Sequence, residues 1–485
     1  MQQGDLVIGI DVGTTSVKGA VYTLQGTMLF SKTVTYGTSY PRSGWVEQQP
    51  RDWMDAIAKV MQGAVGEMDL SRVKAVGICS QVNTHVFVDE KLNVLIPAII
   101  WQDQRCAKVA DELEALVQKN SLAIAVDSSA LVSRAQWVRQ HRPEVWELTR
   151  FILSPKDYCI AVLTGEVATD ALSSIGLVTA AGTYDEDLDS LVPDLSARLP
   201  PVRSMTQRIG EISHDHVPSH CPIVVGTMDA WASVFGSGTV DVESGVEISG
   251  TSEIIGALSR EALPATGIIT FPPLDGAYLH AGPTQCGGDA LAWFARSIGK
   301  SIGDTLALAN SVSADREPLL FLPHLMGERA PLWDPTARGA FIGLTKTHSA
   351  ADMAHAVLEG VGFSARQLLS SVEEAAGFRL DSLRLSGGGA RSDLWCQIKA
   401  DIHGRTLERV RNIDTGTFGA GLLAAVGVGE FPNINAAAKS AVSIDREFVP
   451  DPAVTQRYSD LYGLYRNAYA GLKDVFGGLV SLHSR

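Results

Sequence analysis

One short segment occurs twice in this chain. GTTSVKGA at 13–20 returns as GTSEIIGA at 250–257, an offset of 237 residues. Gly13, Thr14, Gly19 and Ala20 recur as Gly250, Thr251, Gly256 and Ala257, and Thr15 becomes Ser252. Each copy follows an alternating apolar run, VIGIDV before the first and GVEIS before the second. Apolar alternation closed by a small, hydroxyl-rich turn is the pattern of a β-hairpin. A match between two glycine-rich turns arises by chance easily enough. This one sits near the start of each half, and that placement favours two related domains, each opening with the same hairpin. A length of 485 residues, more than one ordinary core covers, points the same way. A boundary near 240–248 gives an N-terminal domain over 1–244 and a C-terminal domain over 245–485.

Both halves mix strand and helix patterns, the signature of an α/β chain. In the first, 52–65 reads as a helix, 73–80 as a strand, 84–95 as a hairpin and 109–119 as a helix. In the second, 290–299, 350–375 and 392–404 read as helices, and SLRLSGGGA (382–390) as a strand running into a glycine loop. The stretch 435–485 reads as closing helices.

Composition bounds the partners. The chain is 45% hydrophobic and 19% charged, with a formal net charge of −14. An acidic surface disfavours nucleic acid and anionic membranes, although backbone N–H groups can still bind phosphate locally. No apolar stretch is long enough to span a bilayer, and MQQGDLVIGID has no basic segment ahead of its apolar run, so no secretory leader is expected. The six cysteines (79, 106, 159, 221, 286, 396) form no Cys-x-x-Cys pair or zinc spacing. They read as buried, reduced thiols of a cytoplasmic protein.

Three turns, DVGTTS, SGTSE and SGGGARS, carry the chemistry. Successive N–H groups in such turns converge on an anion, and missing side chains let a phosphate approach. A single such turn has a plain structural reading, with Asp11 bonding nearby backbone N–H groups. Three of them after apolar strands in related halves suggest a polyphosphate held in a cleft between domains. None matches the Walker loop or the dinucleotide fingerprint, so neither a P-loop nor a Rossmann enzyme is supported.

These turns, in this order, resemble the actin-like ATPase fold, and more narrowly the FGGY carbohydrate kinases, with the xylulose kinases as the nearest pattern. The resemblance runs nearly end to end, through GWVEQQPRDW (44–53), WQDQR (101–105), SPKDYCIAVLTGEVATD (154–170), LPHLMGERAP (322–331), GAFIGLTKTHSAADMAHAVLEGVGF (339–363) and SGGGARSDLW (386–395).

The resemblance implies ATP and Mg²⁺ as cofactors, a small sugar as acceptor and a homodimer, although no apolar patch in the sequence marks a dimer interface. It implies Asp229, in IVVGTMDAWASVFGSG (223–238), as the base that accepts the sugar hydroxyl's proton, where the plain reading is a helix N-cap. It places the metal on Asp11, with Asp229 beside it. Gly13, Thr14 and Thr15, and from the other half Gly250, Thr251 and Ser252, would contact phosphate. Gly288 would open a helix toward the nucleotide. Gly388, Gly389, Ala390 and Ser392 would lie against adenosine, with Ser392 or Asp393 as a helix cap in the plain reading. Gln81, Val82, Asn83, Trp101, Asp103, Asp229 and Ala230 would line the sugar. Asp103 is the residue expected to meet sugar hydroxyls, its alternative being a loop carboxylate satisfied by Arg105. Glu47 is expected to organise a loop, and Lys156-Asp157 to order the first domain from inside. His85 and His324 are expected near the surface, satisfied and not ligands.

Three positions depart from the pattern. Val82-Asn83 stands where xylulose kinases carry Met-His and glycerol kinases Arg-Glu. Ala230 stands where an Asn or Gln often bonds the sugar, and Arg134 where the family shows Lys. A buried polar partner lost or moved changes acceptor discrimination strongly. The expected reaction is transfer of the γ-phosphoryl of Mg-ATP to D-xylulose or a related ketopentose. The alternatives are ribulose, fuculose, gluconate, glycerol or a tetritol, a nucleotide-gated clamp, or a sugar-binding regulator.

Overall fold

Strand β1 (Leu6–Val12, LVIGIDV) is buried along nearly its whole length, as an apolar run with glycine in place of a polar face requires. It belongs to a computed structural model that describes residues 5–120, 124, 126–179, 181–213, 221–313 and 316–483. β1 turns into β2 (Ser16–Thr23), which pairs in turn with β3 (Met28–Thr35), both antiparallel. Helix α1 (Pro50–Glu67) starts on a proline, needing no N–H there, and buries Trp53, Ile57, Val60 and Met61 against this sheet. β4 (Val73–Ser80) then lies parallel to β1 on its other side. Helices α2 (Leu131–His141) and α3 (Pro155–Thr164) follow, the latter opened by a reciprocal Ser154–Asp157 capping box. Strands β5 (Arg208–Glu211), β6 (Pro222–Val224) and β7 (Thr227–Met228) complete the sheet. Its order is β5-β6-β4-β1-β2-β3, and β7 also runs parallel to β4. Helix α4 (Asp229–Gly236) leaves directly from β7.

Compact packing divides the chain into two units. One holds residues up to Gly238 together with Thr415–Val442, and the other holds Thr239–Asp414 with Ser443 onward. Where the sequence reading makes a single cut at 244/245, the first unit is discontinuous and reclaims the helix Thr415–Gly427. Glycines are the reason that helix fits. A Cβ at Gly9 would stand 1.7 Å from the Thr417 carbonyl oxygen, one at Gly77 1.9 Å from that of Ala420, and one at Gly419 1.8 Å from that of Ala232. The helix therefore lies with its backbone directly on β1, β4 and α4, and the Tyr22 and Thr417 hydroxyls meet at 2.8 Å.

The second unit repeats the plan. β8 (Gly245–Ser249) pairs antiparallel with β9 (Glu253–Ser259), beside β10 (Ile269–Thr270) and β11 (Tyr278–Pro283). Helices α5 (Gly288–Ser297) and α6 (Ala350–Ala376) follow. β12 (Ser382–Ser386) lies parallel to β8. Helix α7 (Asp393–His403), β13 (Thr406–Val410), β14 (Ile444–Phe448) and helix α8 (Pro452–His483) close the unit. Its sheet runs β10-β11-β9-β8-β12-β13-β14. The core β11-β9-β8-β12 thus reproduces β3-β2-β1-β4. The repeated hairpins differ by one step of register: Val12 faces Val17 in the first, and Ser249 faces Glu253 in the second.

Most expected elements are present, with three adjustments. Val86–Val88 takes Phe151–Leu153 as its strand partner, and the 84–95 hairpin survives as the turn closed by Asp89 and Asn93. The closing stretch contains strand β14 between its helices. His85 and His324 are buried, which corrects the near-surface expectation. Each finds an internal partner, Arg134 for His85 and Glu328 for His324. All six cysteines are buried and free.

Candidate functional site

In the first unit, three adjacent parallel strands end together. Val12 of β1 and Met228 of β7 both stand beside Ser80 of β4. Asp11, Gln81 and Asp229 therefore share the carboxyl edge of the sheet, where α/β proteins hold ligands. Alternation carries the apolar side chains of β1 into the core, and Asp11 is its one half-exposed position.

The turn after β1 is tied down by side chains. Gly13 N–H bonds the Ser16 carbonyl, and the Tyr36 hydroxyl donates to the Gly13 carbonyl. Thr14 donates to Gln81 Oε1 at 3.1 Å, and Trp101 Nε1 donates to the Thr14 hydroxyl at 2.9 Å. Buried Gln48 joins them: its Nε2 donates to the Thr14 carbonyl, and its Oε1 accepts from Gln81 and Trp53. The structure thus links Gly13, Thr14, Gln81 and Trp101 into one connected group next to Asp11 at the end of β1, with Thr15 at the exposed tip. Gln48 and Tyr36 were not singled out in the sequence. For Gln48 the signal is the GWVEQQP segment, whose glutamines carry no chemistry until the fold pairs them; Tyr36 has none.

Asp229 is the first residue of α4, with Ala230 N–H donating to its Oδ1 at 2.8 Å. Burial and the neighbouring Asp11 charge push its carboxyl up to about 7, the range of a general base working near neutrality. Beneath it lies a buried ion cluster. Lys156 Nζ pairs with Asp157 at 2.6 Å and Asp170 at 3.0 Å, and Asp170 accepts from Thr227, two residues before Asp229. Lys156-Asp157 therefore orders the unit from inside, as expected. Trp231 is core.

The WQDQR loop resolves differently from its expectation. Asp103 has no exposed surface. Its oxygens accept from Val46 N–H, Arg105 N–H and the Arg105 guanidinium, and Arg105 also reaches Glu47 at 2.8 Å. This corrects the reading of Asp103 as a sugar contact: a carboxylate with both oxygens engaged inside the unit has none to offer an acceptor. Trp101 remains half-exposed. Val82 and Asn83 are half-exposed and line a cavity with Gln81, His85 and Met228.

In the second unit the Gly288 and Gly387–Gly389 segments both pack on the stretch Ser249–Ser252. Gly288 N–H donates to the Gly250 carbonyl at 2.9 Å and Asp289 N–H to that of Thr251, so the start of α5 sits on the Gly250–Ser252 turn. A Cβ at Gly287 would stand 2.7 Å from the Ser252 carbonyl carbon. Gly387, at φ 86, lies against the Ser249 backbone, and a Cβ on Gly389 would stand 2.0 Å from the Ser249 hydroxyl. Gly388 faces open space. Ala390 is fully buried, its N–H bonded to the Gly387 carbonyl and its carbonyl accepting from Arg409, which leaves it no surface for the adenosine contact expected of it. Ser392 caps α7 by accepting from Trp395 N–H.

A buried charge cluster that the sequence did not disclose supports this end. Lys399 bonds Ser249 and Glu247 at 2.8 Å each and Glu253 at 2.6 Å. Burial opposes charge on Glu247, but Lys399 and His403 outweigh it and hold that carboxyl low. Burial wins at Glu253, which is pushed up. Among the described residues no group of three or more His, Cys, Asp or Glu gathers as a metal site, and no helix is long and apolar enough to cross a membrane.

Residues 6–236 match the N-terminal domain of the FGGY family of carbohydrate kinases, and residues 245–428 match its C-terminal domain. The chain is 29% identical to a xylulose kinase of Lactococcus lactis over 98% of its length and 99% of the relative's. It is 32% identical to the xylulose kinase of Escherichia coli over 87% of its length and 90% of the relative's. A gluconokinase of Bacillus subtilis is 26% identical over 98% and 99% of the two chains. Among solved structures, a ligand-bound xylulose kinase from Lactobacillus acidophilus superposes with a TM-score of 0.86 at 25% identity, covering 98% of this chain and 99% of that one. The duplicated architecture is that of the actin-like ATPase fold.

Proposed function

The chain belongs to the FGGY family of carbohydrate kinases, and from that premise we propose that this sugar kinase phosphorylates D-xylulose or a related ketopentose at the expense of ATP, with Asp229 as general base. The acceptor O–H gives its proton to the Asp229 carboxylate. Its oxygen bonds the γ-phosphorus as the bond to the β–γ bridging oxygen breaks, and ADP leaves. The observation that carries this reading is the carboxylate pair at the strand ends, with Asp229 raised to about 7 beside the Asp11 charge.

The same pair suits Mg²⁺, a hard cation that takes one or two carboxylates and fills its remaining positions with water and phosphate oxygens. Asp11, with Asp229 beside it, would hold the ion, which when bound neutralises phosphate charge. Gly13, Thr14 and Thr15 in one unit, and Gly250, Thr251, Ser252 and Gly288 in the other, are the proposed phosphate contacts. Gly388, Gly389 and Ser392 are the proposed adenosine contacts. Gln81, Val82, Asn83, Trp101 and Ala230 are the proposed sugar contacts. We carry a cytoplasmic homodimer as part of the proposal; sedimentation at the monomer mass would end the dimer.

The xylulose assignment follows the relatives' names. A different acceptor is the second reading, favoured by Val82-Asn83, by Ala230 and by the gluconokinase among the relatives. The test is ADP release from Mg-ATP across D-xylulose, D- and L-ribulose, L-fuculose, D-gluconate, glycerol and a set of tetritols and pentitols. Strong turnover with D-xylulose supports the first reading, and preference for another acceptor transfers the assignment to it. ATP hydrolysis indifferent to every acceptor would favour a nucleotide-gated clamp.

A further inference from the structure

Arg134 of α2 is completely buried, and among the described residues no carboxylate lies within ion-pair distance of it. Its partners are mostly backbone carbonyls. Nη1 donates to the Asn83 carbonyl and to that of Ile99 at 2.8 Å, and Nη2 donates to that of Ile100 at 2.6 Å. Nη1 also stands 3.0 Å from His85 Nδ1. Burying a guanidinium with no carboxylate in contact is costly: burial lowers its pKa to about 10, against the opposing pull of the more distant Asp103 and Asp127 charges. A neutral apolar side chain would fill the space at less cost, so the donors themselves are what the position retains.

Those donors reach two segments that the proposed function places at the acceptor. Asn83 has a left-handed backbone, φ 51, unusual for a residue with a side chain. Its carbonyl is held by Arg134 and its amide by Ser129. Ile99 and Ile100 lead directly into Trp101, whose N–H donates to Thr84. His85 and Ile99 exchange backbone hydrogen bonds, so the two segments run side by side with Arg134 bonded to both. Arginine only donates, so in this contact His85 Nδ1 is the acceptor, sharing an Nη1 proton with one of the two carbonyls. The ring proton is then on Nε2, in a ring that lines the cavity with Gln81, Val82 and Asn83.

We propose that Arg134 is the positioning residue of the acceptor side, tying the Val82-Asn83 turn to the segment that carries Trp101 and fixing His85 in its Nε2–H form. This rests on the reading of Gln81–Asn83 and Trp101 as acceptor contacts. One planar fork serves four acceptors here, a geometry the compact ammonium of lysine does not reproduce.

The first measurement is the steady-state kinetics of wild type, Arg134→Lys and Arg134→Met with the best acceptor of the panel and with ATP. Folding is checked by circular dichroism. The expected result is an acceptor KM raised at least tenfold in Arg134→Met and partly restored in Arg134→Lys, with KM for ATP within twofold of wild type. Unchanged acceptor KM in the folded variants, or equal movement of both KM values, overturns the proposal. If Arg134→Met does not fold, Arg134→Lys carries the kinetic arm under the same criteria. The second measurement is the ¹⁵N spectrum of the wild-type histidines, with the His85 signal assigned by its loss in His85→Gln. A neutral ring protonated on Nε2 is expected. Protonation on Nδ1 overturns the proposal whether or not any acceptor is turned over, so its failure is distinguishable from failure of the acceptor reading.

Discussion

Asp229 and Asp103 are both acidic residues in family-like segments, and the fold treats them oppositely. Asp229 stands at a strand end with one backbone donor and a like charge beside it, and its carboxyl rises to about 7. Asp103 is enclosed by Arg105 and two backbone N–H groups. Asp229→Asn keeps the shape and removes the proton acceptor. Turnover should fall by about 10³-fold, while nucleotide affinity measured by calorimetry stays within a few-fold. Near-normal turnover would remove Asp229 from its role. At this scale the sequence was readable where chain order fixed a position: its plain reading put Asp229 at a helix start, and α4 begins there. It was not readable where a side chain's partner is distant: Asp103 takes Val46, Gln48 joins Gln81, and Lys399 reaches back about 150 positions to Ser249.

Elements here are joined by absence of side chains as much as by their presence. The helix Thr415–Gly427 touches β1 at Gly9 through backbone alone. Gly9→Ala would place a methyl 1.7 Å from the Thr417 oxygen, and relief requires moving a helix packed on several elements. We expect a loss of about 3 kcal/mol, read by urea denaturation, with the far-ultraviolet spectrum retained. The glycine was visible in VIGID, but what it makes room for was not, because that helix lies some 400 residues on.

Helix α8 shows a charged counterpart. Tyr469 donates to Asp334 at 2.6 Å, as does the Thr336 hydroxyl. Burial pushes Asp334 up, but these donors outweigh it and hold the carboxyl at about 2, against an ordinary 3.8. A depressed carboxyl stabilises the fold above its unfolded pKa, and that contribution is lost as pH falls through the folded one. Tyr469→Phe should therefore be less stable than wild type at pH 7. The gap should narrow between about pH 4 and pH 2, as followed by denaturation at several pH values. A gap independent of pH would assign the loss to packing instead.

At the scale of the whole molecule, the repeat announced two related domains, and two sheets with the same core order answer it. The sequence could not announce that the first unit is completed by residues 415–442, because a glycine- and alanine-rich helix carries no mark of which sheet it covers. A fragment ending at residue 244 would leave β1, β4 and α4 uncovered. It should be unfolded or aggregated, while the same fragment joined by a flexible linker to residues 415–442 should show a cooperative thermal transition. A cooperative transition in the shorter fragment would refute the dependence.

That arrangement also has a consequence in time. A ribosome delivers β1 early in its unit and the helix that seals it about 180 residues after the rest of that unit. At ordinary synthesis rates the interval is on the order of 10–40 s. During that interval the second unit's share of the chain emerges while the nascent first unit still presents the bare backbone at Gly9 and Gly77. Its final folding step must await the residues from Thr415 onward, so a message stalled or truncated ahead of them yields an incomplete first domain, never a finished half.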